Sequence, residues 1–131
     1  MDKKAILQTL YKLADNTWKD IVKCEQVLTR AQTTLDIQTQ LCADAQALLA
    51  QSTNADERNV LVFNLAMHIQ DKYNTNTFIN QTKTAIADME QDINNLNEAA
   101  KIIKEQQEQE RAFERMQQTK QVRAKSTKRQ R

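Results

Sequence analysis

Apolar residues recur at seven-residue steps over two long stretches of this chain, and the steps predict two long helices. In the first half Leu7, Ala14, Ile21, Leu28, Leu35, Cys42 and Leu49 follow one another without a slip. A companion series runs Leu10, Thr17, Cys24, Ala31, Gln38 and Ala45. Together they form the a/d seam of a coiled coil, a more regular stripe than simple amphipathicity produces. Leu13, Trp18, Val27, Leu41 and Leu48 are expected to widen the stripe on one flank. The first helix is placed at about residues 3–51.

The polar run from Ser52 to Asn59 is the best break in the pattern, and a reversal is expected at about 52–59. Thr53 or Asn54 followed three residues on by Asp56 or Glu57 resembles a capping box, which marks a helix start. A short helix is expected over 60–73, with Val62, Leu65, Ala66, Ile69 and Tyr73 on its buried face and His68 beside them. Asn74-Thr75-Asn76-Thr77 reads as a second polar interruption, either a kink, a loop or the N-cap of the next helix, while the lack of glycine leaves a helix continuous across it equally open. A further helix is expected over 77–118. There Ile79, Ile86, Ile93 and Ala100, accompanied by Thr82, Met89, Leu96 and Ile103, repeat the a/d pattern of the first half. Two such seams joined by a reversal give an all-α fold, a long antiparallel two-helix coiled coil, or helical hairpin. It would fill a single domain over 1–118, with a short additional helix or kink near the bend. The last residues, 119–131, lack periodicity and are expected to be unstructured.

Composition sharpens this picture. The 131 residues include no glycine and no proline, where average chains carry about seven and five per cent of each. Without them there is little to interrupt a helix or turn it sharply. The absence of glycine also excludes the phosphate-cradling loops of nucleotide-binding sites, whose backbone must approach the anion closely. Aromatic residues are only 5% of the chain, enough with the aliphatics for a narrow seam and too few for a wide core. No apolar run is long enough to span a membrane, and the first twenty residues are amphipathic rather than continuously apolar, so cytoplasmic residence is expected. Cys24 and Cys42, on one helix, would stand about 27 Å apart at 1.5 Å per residue. A disulfide needs Cα atoms within about 7 Å, so both are read as small buried side chains.

Charge divides the chain. Lys120, Arg123, Lys125, Lys128, Arg129 and Arg131 follow residue 118 and no acid does, so a net +2 resolves into −4 over 1–118 and a basic tail. Such a tail suits salt-sensitive, sequence-blind attachment to phosphates, but no aromatic is interleaved for stacking. A handle for an acidic protein, or simply a solvated end, fits it better. The one histidine, His68, lies three residues from Asp71 and lacks the converging groups of a catalytic site. Cys24, Cys42 and His68 do not show metal-ligand spacing. No catalytic residue, cofactor or metal is expected, and the chain reads as one that works by association.

Some residues also resemble a known family. Leu7-x2-Leu10-x2-Leu13-Ala14, then Asp20, then Ala31-Gln32-x2-Leu35, is similar to the N-terminal helix of FliJ, the small coiled-coil protein of flagellar type III export. Phe78-Ile79-x5-Ala85-Ile86 resembles the second-helix pattern of that family, an aromatic, two aliphatics and an Ala-Ile pair. The resemblance implies an antiparallel coiled coil like the central stalk of rotary ATPases. Its partners would be a hexameric export ATPase, the export-gate membrane protein and export chaperones, reached at the inner membrane through those partners. The stripe implied to face the gate falls on Phe78, Thr82, Ala85 and Met89, with Thr82 and Met89 standing where the family carries leucine and histidine. The family's usual paired tyrosines and acidic ending are replaced by Ala43-Asp44-Ala45-Gln46-Ala47 and Lys128-Arg129-Gln130-Arg131.

The expected function is therefore that of a helical adaptor whose helix ends enter a ring. Ile6, Leu7, Leu10 and Tyr11 would supply one half of that end and Phe113 and Met116 the other. Two rival classes remain. One is a coiled-coil chaperone or structural assembly protein of another system, such as a phage or conjugation machine, including a homodimer formed through the same seams. The other is a nucleic-acid-associated protein acting through its tail.

Overall fold

The structure, a computed structural model, describes the backbone of residues 2–129 and side chains through Lys125. It is all-α: two long helices packed against each other as a helical hairpin, α1 (Lys3–Gln51) and α2 (Ala55–Arg129). The chain divides into two compact units. One, Trp18–Glu90, holds the bend; the other joins Met1–Thr17 to Gln91–Arg131.

In the bend unit, the α1 residues withdrawn from solvent are Ile21, Cys24, Leu28, Ala31, Leu35, Gln38, Cys42, Ala45 and Leu49. These are the expected a/d positions and no others. Ile21 is fully buried, which contributes about 1.5–3 kcal/mol relative to an exposed aliphatic side chain. On α2 the matching series is Leu61, Leu65, His68, Lys72, Thr75, Ile79, Thr82, Ile86 and Met89. Both series step alternately by three and four. Run antiparallel, they pair Leu49 with Leu61, Ala45 with Leu65, Cys42 with His68, Gln38 with Lys72, Leu35 with Thr75 and Ala31 with Ile79. A small residue thus often faces a large one, which lets the two backbones approach and the seam interdigitate. The flanking Leu13, Trp18, Val27, Leu41 and Leu48, expected to widen the stripe, are exposed instead. With a single helix as neighbour, only the two-in-seven seam finds cover.

The bend itself takes three residues, Ser52–Asn54, rather than the eight expected at 52–59. Asn54 is the N-cap of α2: its Oδ1 accepts the backbone N–H groups of Asp56 at 2.9 Å and Glu57 at 3.2 Å. Asp56 and Glu57 place negative charge on the positive end of the helix dipole. The end of α1 is closed without a left-handed residue, since no described residue has positive φ. The Arg58 guanidinium reaches back from α2 and donates through Nη1 to the carbonyl oxygens of Leu49 at 3.0 Å and Ser52 at 2.9 Å. A side chain from the next helix therefore satisfies carbonyls that a glycine-based C-cap would normally serve.

Helix α2 runs unbroken across 74–77, the continuous one of the two alternatives the sequence leaves open there, so the helices expected at 60–73 and 77–118 are one element. Two of the polar side chains there, Asn74 and Thr77, bond within their own helix. Gln70 Nε2 donates to Asn74 Oδ1 at 2.9 Å, and Thr77 Oγ1 donates to the Tyr73 carbonyl at 3.1 Å. The buried face expected for 60–73 is also corrected. Leu65 is on it, but Val62, Ala66, Ile69 and Tyr73 are exposed, and His68 takes a seam position.

In the second unit, Leu7, Leu10, Ala14 and Thr17 of α1 continue the seam, and Ile93, Leu96, Ala100 and Ile103 answer from α2, with Ala100 buried. Lys3 and Glu110 form an ion pair where α1 begins, and Lys104 Nζ lies 5.2 Å from the centre of the Tyr11 ring. Beyond Glu110, α2 carries on to Arg129, so residues 119–129, expected to be unstructured, are helical. Lysine, arginine, glutamine and alanine are all good helix formers, which is reason enough for helix without a periodic stripe. Residues 130 and 131 lie outside the described part.

Candidate partner-binding surfaces

Three exposed surfaces stand out, and the first is the free arm of α2. Every residue from Glu108 to Lys125 is exposed, among them Phe113 and Met116 at 62% and 61%. Phe113 shares an open groove with Lys3, Gln106 and Glu110. Ile6, Leu7 and Leu10 are half-buried along the seam, while Tyr11 is exposed beneath Lys104. Phe113 stands ten residues beyond Ile103, the last of the half-buried apolar residues of α2, which is about 15 Å at 1.5 Å per residue. The six residues expected to form one end therefore separate: Ile6, Leu7 and Leu10 are half-buried, Tyr11 is exposed on α1, and Phe113 and Met116 lie on the open arm. The arm also bears Lys120, Arg123 and Lys125, all exposed. The side chains of Lys128, Arg129 and Arg131 lie outside the described residues.

A second surface carries Phe78 and Ala85. Both are exposed on α2 seven residues apart, whereas Thr82 and Met89 are half-buried at seam positions. The Thr82 hydroxyl is engaged with the Phe78 carbonyl at 2.8 Å. The four residues thus split into an outward pair and an inward pair. Phe78, 45% exposed, lies in an open groove with Val27, Thr34 and Thr75, so its ring is offered beside the seam rather than within it.

The third region departs from the sequence pattern: Val62, Ile69 and Tyr73 on one flank of the α2 seam and Val60, Phe63 and Met67 on the other are all exposed. The signal was present, because counting back from Ile79 in alternate steps of four and three gives Thr75, Lys72, His68, Leu65 and Leu61, and leaves the larger apolar set outside.

Chemistry on these surfaces is sparse. Cys24 and Cys42 are free thiols at seam positions, half-buried and buried. Among the described residues no group of three or more His, Cys, Asp or Glu side chains is placed to hold a metal ion. No described helix is long and apolar enough to cross a membrane. No protein-family model, curated protein or solved structure matches this chain.

Proposed function

We propose that the protein is a helical-hairpin adaptor that works by association, using the free arm of α2 to engage a protein partner. The supporting observation is the arm itself. From Arg111 to Lys125 every residue is exposed, and Phe113 and Met116 stand largely in water. A helix of that length is marginal when nothing packs on it, so ordering and burial on a partner would stabilise it. Its lysines and arginines would steer it to an acidic site and its two large apolar side chains would anchor it there.

The resemblance in Leu7–Leu35 and Phe78–Ile86 names the partner class. On this reading the arm enters the ring of a type III export ATPase, while Phe78 and Ala85 are offered to the export gate and chaperones. The protein would then act in the cytoplasm, at the inner membrane only through its partners, and without cofactor or catalysis of its own. Binding to a purified export ATPase, read as hexamer assembly and ATP turnover, tests this. The wild-type chain should promote both, and the pair Phe113→Glu and Met116→Glu should abolish the effect while far-UV circular dichroism stays unchanged. Absence of any effect by the wild-type chain would remove the ATPase reading. Salt-sensitive DNA binding lost on deleting 119–131 would replace it with the nucleic-acid reading.

A further inference from the structure

From Glu25 to Leu49 the large apolar residues of α1 outside the seam all lie on one side of it. Val27, Leu41 and Leu48 share seven-residue steps with Thr34, each one residue before a seam position, and Ile37 adjoins them. On the other side of the seam the corresponding positions hold Glu25, Gln32, Thr39 and Gln46. Helix α2 continues the apolar side. Phe78 and Asn74 share an open groove with Val27, Arg30 and Thr34, and Met67 and Val60 stand one and two seven-residue steps before Asn74. The seam pairs set Leu41 level with Met67 and Leu48 level with Val60. Both helices of the bend unit therefore build a single face, and Val62, Ile69 and Tyr73, on the opposite flank of α2, are not part of it.

The face is large for one left in water. Its α1 residues Val27, Ile37, Leu41 and Leu48 are 39–57% exposed, and Val60, Met67 and Phe78 of α2 are 45–60% exposed. Together they leave on the order of 600 Å² of mostly apolar surface in solvent, the top of the range for monomeric proteins. With the polar positions between them the face approaches the roughly 800 Å² that each partner contributes to a standard interface.

Charge identifies the occupant. Arg30 and Asp44, the charged residues of the α1 half of the face, stand seven residues to either side of Ile37. They are about 21 Å apart and cannot reach each other within one chain. A second copy turned about a twofold axis at Ile37 brings its Asp44 onto Arg30 and its Arg30 onto Asp44. The same rotation sets Val27 against the partner's Leu48 and Thr34 against the partner's Leu41. The hairpin register carries this axis across to α2 between Lys72 and Tyr73, although no α2 residue was used to place it. There Met67 meets the partner's Phe78, Val60 meets the partner's Ala85, and Asn64 meets the partner's Gln81. Asp71 meets the partner's Asn74, whose Oδ1 already accepts from Gln70 Nε2, which leaves its N–H groups to donate to the carboxylate. On α2 apolar thus meets apolar and polar meets polar, and no like charges face each other on either helix. We infer that two copies of the chain associate through this face, antiparallel, α1 on α1 and α2 on α2, as a four-helix bundle with its twofold axis at Ile37. An unrelated helix would not require the charges of α1 and the packing of α2 to share one axis. None of this depends on the proposed function: the free arm of α2 takes no part, and a protein that binds Phe78 and Ala85 would compete with the dimer.

Sedimentation velocity of the full chain over a range of micromolar concentrations provides the test. The wild type should pass from a 15.2 kDa monomer to a species of twice that mass. Ile37→Glu places two carboxylates face to face on the axis and should weaken association by roughly a hundredfold. Arg30→Asp alone and Asp44→Arg alone should each weaken it by about tenfold, and the two together should restore it. Such recovery requires a second copy, because the two side chains are too far apart to pair within one chain. All three positions are exposed in the hairpin, so far-UV circular dichroism should stay unchanged. Ile69→Glu, on the opposite flank of α2, should leave association as it is. A chain that stays monomeric at every concentration overturns the inference. So does a dimer that resists Ile37→Glu, or a double variant that associates no better than the single ones.

Discussion

Replacing Arg58 by alanine should loosen the bend more than any other exposed substitution near it. The guanidinium donates to two carbonyls at the end of α1, Leu49 at 3.0 Å and Ser52 at 2.9 Å. Hydrogen bonds from a charged group contribute about 1.5–3 kcal/mol each when shielded. The first of these is exposed and the second part-buried, so water recovers much of the first when the donor is removed. The cation also favours the negative end of the α1 dipole while sitting unfavourably in the first turn of α2, and those terms of about 0.3–1 kcal/mol oppose each other. The net loss is then about 1–2 kcal/mol, or a fall in melting temperature of roughly 3–10 °C. Urea denaturation followed by circular dichroism measures it, with an unchanged slope showing that the denatured state is the same. Arg58→Lys, a point donor without the planar fork, should recover about half of the loss. A change below about 0.3 kcal/mol for Arg58→Ala would refute the claim that this side chain closes α1 in place of glycine.

The seam and the free arm each carry a further expected outcome. Gln38 sits in the seam with its Oε1 buried and unpartnered among the described residues, so Gln38→Leu should raise stability by about 1–2 kcal/mol in the same titration. The free arm should be the first part of the chain that trypsin trims. Cleavage after Arg115, Lys120 and Arg123 is expected well before cleavage after the half-buried Lys72, read by mass spectrometry over time.

Where the apolar steps are regular, the fold is legible in the sequence. The α1 seam from Leu7 to Leu49 and the α2 seam from Ile79 to Ile103 occupy the positions their seven-residue spacing assigns. The capping role of Asn54 is readable from its place before two acids. What cannot be seen is anything depending on the second helix as a neighbour. The bend reads as longer than it is because nothing in the sequence marks Arg58, four residues into α2, as the cap of α1. The Asn74–Thr77 cluster resembles a break because its residues favour turns, but within a packed helix those side chains bond back to the preceding turn. Of the surfaces, spacing assigns Phe78 outward, and it is exposed. The apolar stripe at Val62–Tyr73 reads as inward and is not.

That last difference has a specific physical origin. Over residues 60–73 the best local choice is to bury Val62, Ala66, Ile69 and Tyr73. Helix α2 is unbroken, however, so its rotation about its own axis is a single decision shared with Ile79, Ile86 and Met89. Turning the helix to cover the local stripe would swing these isoleucines toward solvent, each losing about 1.5–3 kcal/mol of burial. The residues of α1 are fixed in the same way, and Cys42, Ala45 and Leu49 keep their alternate steps toward α2 whatever stands opposite. The longer stripe therefore wins, and His68 and Lys72 are carried into the seam. A sequence tuned only for the hairpin would have put leucines at those two positions and polar residues at 62, 69 and 73. Such conflict between local pattern and global register is characteristic of positions kept for another purpose.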